Sequence, residues 1–168
     1  SVRALLERGQ LGRKAGGGFY RMVKHDDGSK TMETYDLKAS AWRQSEKVEL
    51  DEAHATMEGL FVDDAEGRFA WAMTSSVLSY AADLVGDIAG DIVNIDRAMR
   101  WGFAWEKGPF EMIDALGAER MAERLKAEGR HIPKMLQVLA DAGAATFYQK
   151  EGSEYLGLDG AYHPTPAE

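Results

Sequence analysis

Residues 94–117 read NIDRAMRWGFAWEKGPFEMIDALG, and this stretch predicts two helices separated by a proline turn. Asn94 is expected to cap the first helix, and Asp96 in its first turn suits the positive end of the helix dipole. The Gly-Pro pair at 108–109 ends that helix and starts the next, because proline is well suited to the first helical position. The second helix ends at Gly117. Short helices joined by short turns predict a compact orthogonal bundle rather than a long coiled coil.

A long apolar helix is predicted to lie at the centre of this bundle. It covers residues 64–88, and its apolar side chains form two stripes that repeat with helical spacing. A helix that is apolar on two sides is expected to be covered on both. One stripe contains Phe69, Met73, Val77, Tyr80 and Leu84, and the other contains Trp71, Leu78 and Val85.

Shorter helices are predicted on both sides of these elements. The one that begins at Asn94 should present a largely apolar surface to the bundle. The residues of that surface are Ile95, Met99, Trp101 and Phe103. The other predicted helices cover residues 2–8, 51–60, 118–128 and 133–143.

The N-terminal part of the sequence predicts a β-hairpin after a glycine-rich loop. The loop covers residues 12–18, and strands are expected at 19–23 and 31–37. Between the strands, residues 26–29 supply turn chemistry, because an Asp-Gly pair tolerates the positive φ of a tight hairpin turn. The chain begins inside the helix at 2–8, which favours a fragment of a longer polypeptide.

The end of the chain is similar to its beginning in the spacing of aromatic residues. Phe147-Tyr148 follows the last helix as Phe19-Tyr20 follows the first, and each pair precedes a tyrosine and a later aromatic residue. We interpret this as a weak internal duplication, with a coincidence among common aromatic residues as the alternative. The predicted domains are residues 1–44, the tail of a first helical unit plus its hairpin, and residues 45–168, a second helical unit with a short C-terminal hairpin.

The composition excludes several classes of protein. The 168 residues include 20 Lys and Arg against 28 Asp and Glu, which gives a net charge of −8, and there is no cysteine. Disulfides, thiolate metal sites and cysteine nucleophiles are therefore excluded, and the acidic balance argues against wholesale nucleic-acid binding. No apolar run approaches the roughly 18 residues that a membrane helix needs. We expect a cytoplasmic protein without a nucleic-acid or membrane partner.

Positive charge is concentrated at the N-terminus. Residues 1–24 carry +5, whereas the other 144 residues carry −13. Such a segment can attract a phosphate-bearing ligand or an acidic protein surface, and an ordinary solvated segment is the alternative.

The residues themselves reveal no catalytic or metal-binding motif. The glycine-rich loop follows a helix and opens a strand, which is the reverse of a dinucleotide-binding fingerprint. The four histidines are not spaced as metal ligands are. Three aspartates that recur every four residues indicate a solvated helix face rather than a cation site. Two tryptophans indicate core packing rather than the floor of a pocket. These residues are His25, His54, His131 and His163; Asp83, Asp87 and Asp91; and Trp101 and Trp105.

Two segments resemble one enzyme family. Residues 9–20, GQLGRKAGGGFY, are similar to the Gly-x-Leu-Gly-x-Lys-x-Gly-x-Gly-Phe-Tyr segment of 3-hydroxyacyl-CoA dehydrogenases, where it closes a helical C-terminal unit. Residues 94–117 resemble the Ile-Asp, Gly-Phe, Gly-Pro-Phe-Glu, Asp and Gly pattern of the same family. The resemblance implies a mainly α fold: an orthogonal helical bundle of the 6-phosphogluconate-dehydrogenase C-terminal-like type, with one or two small β-hairpins.

The resemblance also implies that the catalytic parts lie elsewhere in a parent enzyme. In this family NAD binds to an N-terminal Rossmann domain that carries the catalytic His-Glu pair, and no part of this chain matches either. In this family the first helical unit carries an Asn-Arg pair near the substrate and a Glu-Ala pair further along. In this chain the corresponding places fall near Trp71-Ala72 and Tyr80-Ala81. The polar groups are replaced, so this second copy is expected to be degenerate. We expect no catalytic, cofactor or metal-binding residue here, and no activity from the chain alone.

The expected function is therefore that of a non-catalytic unit in an NAD-dependent L-3-hydroxyacyl-CoA dehydrogenase of fatty-acid β-oxidation. Its expected partners are the Rossmann domain and the first helical unit of the parent chain, whose cleft it would brace. Acyl-CoA would be the substrate of the parent, and the isolated chain is expected to form a homodimer. Arg13 and Lys14 are the candidate contacts to a CoA phosphate, and Phe110 is expected to anchor the core. The rival function is a stand-alone helical module for protein–protein contacts.

Overall fold

The computed structural model describes residues 2–49 and 52–167. Its chain divides into two compact units, Ser1–Glu49 and Leu50–Glu168, called here the N-terminal unit and the C-terminal unit. No helix in the described ranges combines the length and the apolar character that crossing a bilayer requires.

The described residues 2–49 of the N-terminal unit contain one α-helix, a short 3-10 turn and one antiparallel sheet. Helix α1 covers Val2–Glu7, and the sheet has the strand order β1 (Tyr20–Lys24), β2 (Lys30–Asp36), β3 (Ala41–Gln44). The predicted hairpin is confirmed, with Met22 opposite Met32, whereas the third strand was not predicted. The buried ring of Tyr35 accepts a hydrogen bond at its hydroxyl from Nη1 of Arg8, at 2.8 Å, and lies edge-on to Trp42. The Arg8 contact ties the end of α1 to the sheet, and the Trp42 contact packs β3 against β2.

The C-terminal unit contains five α-helices and a second small antiparallel sheet among its described residues. The mainly α fold class is confirmed, and each small β element has three strands rather than the two of a hairpin. The helices are α2 (Ala65–Asp83), α3 (Ile92–Phe103), α4 (Pro109–Leu116), α5 (Ala118–Ala127) and α6 (Lys134–Asp141). The strands are β4 (Tyr148–Gln149), β5 (Glu154–Leu156) and β6 (Tyr162–Pro164), and a 3-10 helix at Met57–Phe61 precedes α2.

The observed helices depart from the prediction mainly at one absent helix, one early helix end and one cap. The helix predicted at 51–60 is wrong, because the described part of that range consists of turns followed by the 3-10 helix, while residue 51 itself lies outside the described ranges. The long helix ends at Asp83 instead of 88, since Gly86 has a φ of +91° and its N–H donates to the carbonyl of Ala89. The cap of α3 is Asp91 rather than Asn94, because Oδ1 of Asp91 accepts the N–H of Asn94 at 2.8 Å.

The core of the C-terminal unit forms around α4 and the strand that follows α6. Phe110 and Phe147 are fully buried, and their rings meet edge to face with centroids 5.0 Å apart. The expectation that Phe110 anchors the core is therefore confirmed. Ile95 is buried as predicted for α3, but Trp101 and Phe103 are largely exposed, so that part of the predicted apolar surface is wrong. Both residues lie at the C-terminal end of α3, close to where the helix stops.

Candidate functional site

A buried carboxylate holds together the segment that determines the fold. Asp96, on α3, is almost completely buried, and its Oδ1 accepts the N–H of Phe110 at 2.8 Å. Its Oδ2 accepts the N–H of Glu111 at 3.2 Å and the hydroxyl of Tyr148 at 2.9 Å. The first N–H groups of a helix have no partner within the helix, so Asp96 caps α4 from the neighbouring helix. The prediction that Asp96 serves its own helix dipole is wrong.

Gly108 directly precedes α4, and the close approach of Asp96 leaves no room for a side chain at this position. A Cβ atom at Gly108 would lie 2.3 Å from both Cβ and Cγ of Asp96, far inside van der Waals contact. A side chain at this position would therefore displace the carboxylate that caps the helix. Oε2 of Glu111 accepts the N–H of Gly108 at 2.7 Å and completes the cap from the helix side. The Gly-Pro-Phe-Glu turn thus has a structural role, as expected.

A second carboxylate joins α4 to the sheet. Oδ1 of Asp114 accepts the N–H of Phe147 at 2.7 Å, and Oδ2 accepts the N–H of Tyr148 at 2.9 Å. Burial raises the pKa of Asp96 to about 7 and that of Asp114 to about 6, although the hydrogen bonds that each accepts favour the ionised form. Burial and the nearby carboxylates also raise the pKa of the Tyr148 hydroxyl.

These groups line a cleft of about 610 Å³, which includes Arg97, Arg100 and Glu111. Two titratable groups with raised pKa values in a cleft are a usual sign of acid–base chemistry. Here, however, both oxygens of Asp96 accept backbone N–H groups, and both oxygens of Asp114 do the same. The arrangement therefore fits helix capping and strand attachment rather than proton transfer to a substrate.

The long helix α2 carries the feature that best fits a functional surface. Trp71 and Leu78 on α2 are buried, as is Val85 just after the helix. Of the other predicted stripe, Leu84 is half-buried and the four residues on α2 are exposed. The exposed fractions are 69% for Phe69, 57% for Met73, 40% for Val77 and 67% for Tyr80. The prediction that both sides of this helix are covered is therefore wrong within the C-terminal unit. Four large apolar side chains along about 17 Å of one helix form a continuous surface of the kind that marks a protein interface.

The two residues proposed to contact CoA lie in the N-terminal unit. Arg13 and Lys14 form part of a 3-10 turn at Arg13–Ala15, and within residues 2–49 neither side chain makes an ion pair. Arg13 lines a small cleft of about 260 Å³ together with Tyr20 and Arg21, and Lys14 does not line it. The guanidinium of Arg21 is already paired with Glu33. The structure thus leaves both charges available but brings only Arg13 into a concave surface.

The histidines and aspartates that the sequence offered do not form a common site. Each histidine pairs locally with a neighbouring side chain, and no group of three potential metal ligands occurs in the described part of the chain. Asp83 accepts the N–H of Lys134 and Asp91 caps α3, so the aspartates do not share one helix face. The histidine pairs are His25 with Thr31, His54 with Asp64, His131 with Asp83, and His163 with Asp159.

The described residues do not fit a bound nicotinamide dinucleotide. That ligand needs a parallel βαβ unit with a glycine-rich turn between strand and helix. Both sheets here are antiparallel meanders, and the loop at 12–18, which contains a 3-10 turn, follows α1 and leads into β1. No reaction step through NAD can be derived from these residues.

The family profile described as "3-hydroxyacyl-CoA dehydrogenase, C-terminal domain" matches residues 67–156, more than half of the chain. The chain belongs to this family. The matched range includes the exposed stripe of α2, both buried carboxylates and the first two strands, β4 and β5, of the sheet that they attach. The resemblance on residues 94–117 is thereby confirmed, and in this chain the Asp96 network joins the two ends of that segment.

Curated relatives of this 3-hydroxyacyl-CoA dehydrogenase C-terminal domain are much longer than the chain. A Bacillus subtilis protein named "Probable 3-hydroxyacyl-CoA dehydrogenase" is 38% identical over 165 residues, which cover 92% of this chain and 20% of that protein. A Rickettsia felis protein named "Putative fatty acid oxidation complex trifunctional enzyme" is 29% identical over 131 residues, 77% of this chain and 18% of that protein. The chain thus spans about a fifth of the length of these relatives. No solved structure matches it.

Proposed function

We propose that the chain is the C-terminal region of an NAD-dependent L-3-hydroxyacyl-CoA dehydrogenase of fatty-acid β-oxidation. In the parent enzyme, a hydride would pass from the 3-hydroxyacyl-CoA to NAD on residues outside this chain. The family and the names of the relatives support the reaction class. The role proposed for the chain itself is to pair with another helical unit and brace the cleft of the parent.

The exposed stripe of α2 carries this proposal. Phe69, Met73, Val77 and Tyr80 place two aromatic and two aliphatic side chains in water along one helix face. Aromatic residues and methionine are enriched at protein interfaces, and the cores of such interfaces are depleted in charge. We propose that the first helical unit of the parent packs on this stripe. The relatives are about five times as long as the matched segment, and the first helical unit would lie in the part that this chain does not match.

Residues 1–44, which make up most of the N-terminal unit, are proposed to be the tail of that first helical unit plus its hairpin. In the C-terminal unit, Phe147 is fully buried and the Tyr148 hydroxyl donates to Asp96. The corresponding Phe19 and Tyr20 are 45% and 60% exposed. Both pairs lead into a three-stranded antiparallel sheet of the same strand order. A pair of helices like α3 and α4, supplied by the preceding part of the parent chain, would cover Phe19 and Tyr20 in the same way.

Charged substitutions on the stripe test the docking proposal. The isolated chain is expected to self-associate through α2, and the double variant Met73→Glu with Val77→Glu is expected to be monomeric, because two carboxylates cannot be buried unpaired. Light scattering at about 50 μM measures this. In the full-length parent, the same double variant should lower the melting temperature of the dehydrogenase. The isolated chain should not oxidise 3-hydroxyacyl-CoA with NAD, as measured by NADH absorbance.

A matched control places the same charges elsewhere on the C-terminal unit. Ala98 and Ala115 are exposed on α3 and α4, so Ala98→Glu with Ala115→Glu adds two carboxylates without touching the stripe. This control should self-associate like the unmodified chain. A chain that is monomeric without any substitution, or a parent enzyme whose melting temperature does not respond to the stripe variant, would contradict the docking proposal.

Arg13 and Lys14 remain our proposed contacts to a CoA phosphate in the parent enzyme. Removing both charges with Arg13→Ala and Lys14→Ala should raise the KM for acyl-CoA about tenfold, because an arginine–phosphate contact is a strong charge-assisted interaction. The measurement is steady-state kinetics of the full-length enzyme. Lys38→Ala with Arg43→Ala removes two charges from the same unit and serves as the control. An unchanged KM in the Arg13 and Lys14 variant would disprove the assignment.

A further inference from the structure

A second cleft in the C-terminal unit is lined by three arginines that the proposed function does not use. Arg68 lies on α2, Arg124 on α5 and Arg130 just after α5, and they surround a cleft of about 470 Å³. The carboxylates in its lining are those of Asp63 and Glu128, so the cleft carries a net charge of +1. The C-terminal unit as a whole has 10 Lys and Arg against 21 Asp and Glu. A positive cleft in a unit with a charge of −11 is an electrostatic exception.

The two inner arginines are held in place by contacts around Glu128. Oε1 of Glu128 accepts the indole N–H of Trp71 at 2.7 Å and the Nε–H of Arg124 at 3.2 Å, and Oε2 accepts Nη1 of Arg130 at 3.3 Å. The guanidinium of Arg124 also donates to the carbonyl of Leu60 at 2.7 Å and lies over the Trp71 ring, 4.3 Å from its centroid. Such contacts fix the arginine planes, so little conformational entropy remains to be lost when a ligand binds.

The arginines retain donors after these contacts are made. Nη2 of Arg124, Nη2 of Arg68 and Nε of Arg130 have no hydrogen-bond partner within residues 52–167. Two guanidinium groups share the single carboxylate of Glu128, which leaves one positive charge uncompensated inside the cleft. Arg68 is paired with Asp63, but that carboxylate is almost fully exposed and therefore binds Arg68 weakly.

We propose that this cleft binds a phosphate group. Guanidinium groups match the geometry of phosphate oxygens, and three of them on separate segments can contact one tetrahedral group from different sides. Nη2 of Arg130 also donates to the hydroxyl of Ser76 at 3.4 Å, which places a small polar group at the same cleft. The face of Trp71 is covered by Arg124, so recognition is assigned to the phosphate rather than to stacking of a base.

The phosphate can come from inorganic phosphate or from a phosphorylated nucleoside, and the experiment separates these sources. The isolated chain is titrated with inorganic phosphate, with adenosine 3′,5′-bisphosphate and with adenosine, using isothermal titration calorimetry at low salt. The indole N–H signal of Trp71 in an NMR spectrum reports the site, because this group donates to Glu128. Equal affinities for inorganic phosphate and the bisphosphate would identify inorganic phosphate as the ligand. Tighter binding of the bisphosphate would identify a phosphorylated nucleoside as the ligand. Adenosine should not bind.

Two surface variants change the charge of the cleft in opposite directions. Arg68→Gln should weaken phosphate binding about tenfold, and Asp63→Asn, which removes the partner of Arg68, should strengthen it several-fold. Arg68 and Asp63 are both exposed, so neither change should disturb folding, which circular dichroism verifies. Arg100→Gln removes the same charge from the cleft beside Asp96 and should change the affinity less than twofold.

The proposal is overturned if phosphate does not shift the Trp71 signal, or if Arg68→Gln and Arg100→Gln weaken binding equally. Binding of adenosine as tight as that of its bisphosphate would also overturn it. The stripe and the cleft share helix α2, because Arg68, Ala72 and Ser76 line the cleft and each directly precedes a stripe residue. The two proposals are therefore separated with uncharged substitutions. The Met73→Gln and Val77→Gln variant should weaken self-association but bind phosphate like the unmodified chain, so failure of one proposal leaves the other to be judged separately.

Discussion

Replacing Gly108 with alanine is expected to destabilise the C-terminal unit by about 3–5 kcal/mol. The new Cβ would lie 2.3 Å from the side chain of Asp96 and 2.4 Å from its Cα, so a rotamer change of Asp96 cannot relieve the clash. Either α3 or the start of α4 has to move. Any such movement weakens the hydrogen bonds that Asp96 accepts from Phe110 and Glu111, and the overpacking and the lost cap therefore add. Urea unfolding monitored by tryptophan fluorescence measures the change.

Gly102 provides a matched control for this substitution. It lies within α3, and a Cβ atom there would meet no other atom within 4 Å. Gly102→Ala should therefore stabilise the unit by about 0.5–1 kcal/mol, because alanine has the higher helix propensity. The two variants are expected to differ in sign as well as in size. A loss below about 1 kcal/mol for Gly108→Ala would contradict the close packing of Gly108 against Asp96.

Local patterns predicted the elements of this region but not the contacts between them. The Gly-Pro pair at 108–109 correctly marked the end of one helix and the start of the next. The role of Asp96 was missed because its acceptor groups meet donors 14, 15 and 52 residues away in sequence. Asp91 was missed as the cap because Asn94 is an equally good capping residue by type, and only the observed hydrogen bond distinguishes them.

Periodicity likewise could not show which side of α2 faces the core. Both stripes are apolar and both follow helical spacing, so the sequence contains no local signal that favours Trp71 over Phe69 as the buried aromatic residue. The difference comes from partners far along the chain. Trp71 donates to Glu128, 57 residues away, and the buried stripe packs against α4 and α6. The arginine cleft was missed for the same reason, since Arg68 and Arg124 lie on separate helices.

In the N-terminal sheet, the turn residues were enough to predict the first two strands but not the third. The Asp-Gly pair correctly located the turn between β1 and β2, but the sequence did not predict the register, in which Lys24 lies opposite Lys30. The third strand has only four residues, of which Trp42 alone is strongly favoured in strands, so its signal was too weak to detect. Its position is set by pairing with β2 and by the edge-on contact between Trp42 and Tyr35.

Replacing Asp96 with alanine is expected to destabilise the C-terminal unit by about 3–4 kcal/mol. The change leaves the N–H groups of Phe110 and Glu111 and the hydroxyl of Tyr148 without their acceptor in a largely buried position. Leaving a buried donor unsatisfied costs more than the net value of the hydrogen bond itself. Urea unfolding measures the loss. The exposed Asp141 on α6 supplies the control, and Asp141→Ala should change stability by less than about 0.5 kcal/mol.

A double-mutant cycle separates the contribution of Tyr148 from the cap. Tyr148→Phe removes the hydroxyl and should cost about 1 kcal/mol in the unmodified chain but much less in the Asp96→Ala background, because the acceptor is already absent. Equal losses in the two backgrounds would show that the hydroxyl and the carboxylate are not coupled. The remaining loss in Asp96→Ala is then assigned to the two backbone donors at the start of α4.

The pH dependence of stability should also change when Asp96 is replaced. Its pKa is about 7 in the folded chain and 3.8 in the unfolded one, so the folded state binds the proton more tightly. This contribution to stability is fully present below pH 4 and is lost as the pH rises through 7. The difference in unfolding free energy between the unmodified chain and Asp96→Asn should therefore shrink from pH 5 to pH 7.5. Asp114 has the same sign, with a pKa of about 6, but it remains in both proteins and cancels from the difference. A difference that grows over this range would show that Asp96 is ionised in the folded chain, and the cap would then be a charged one.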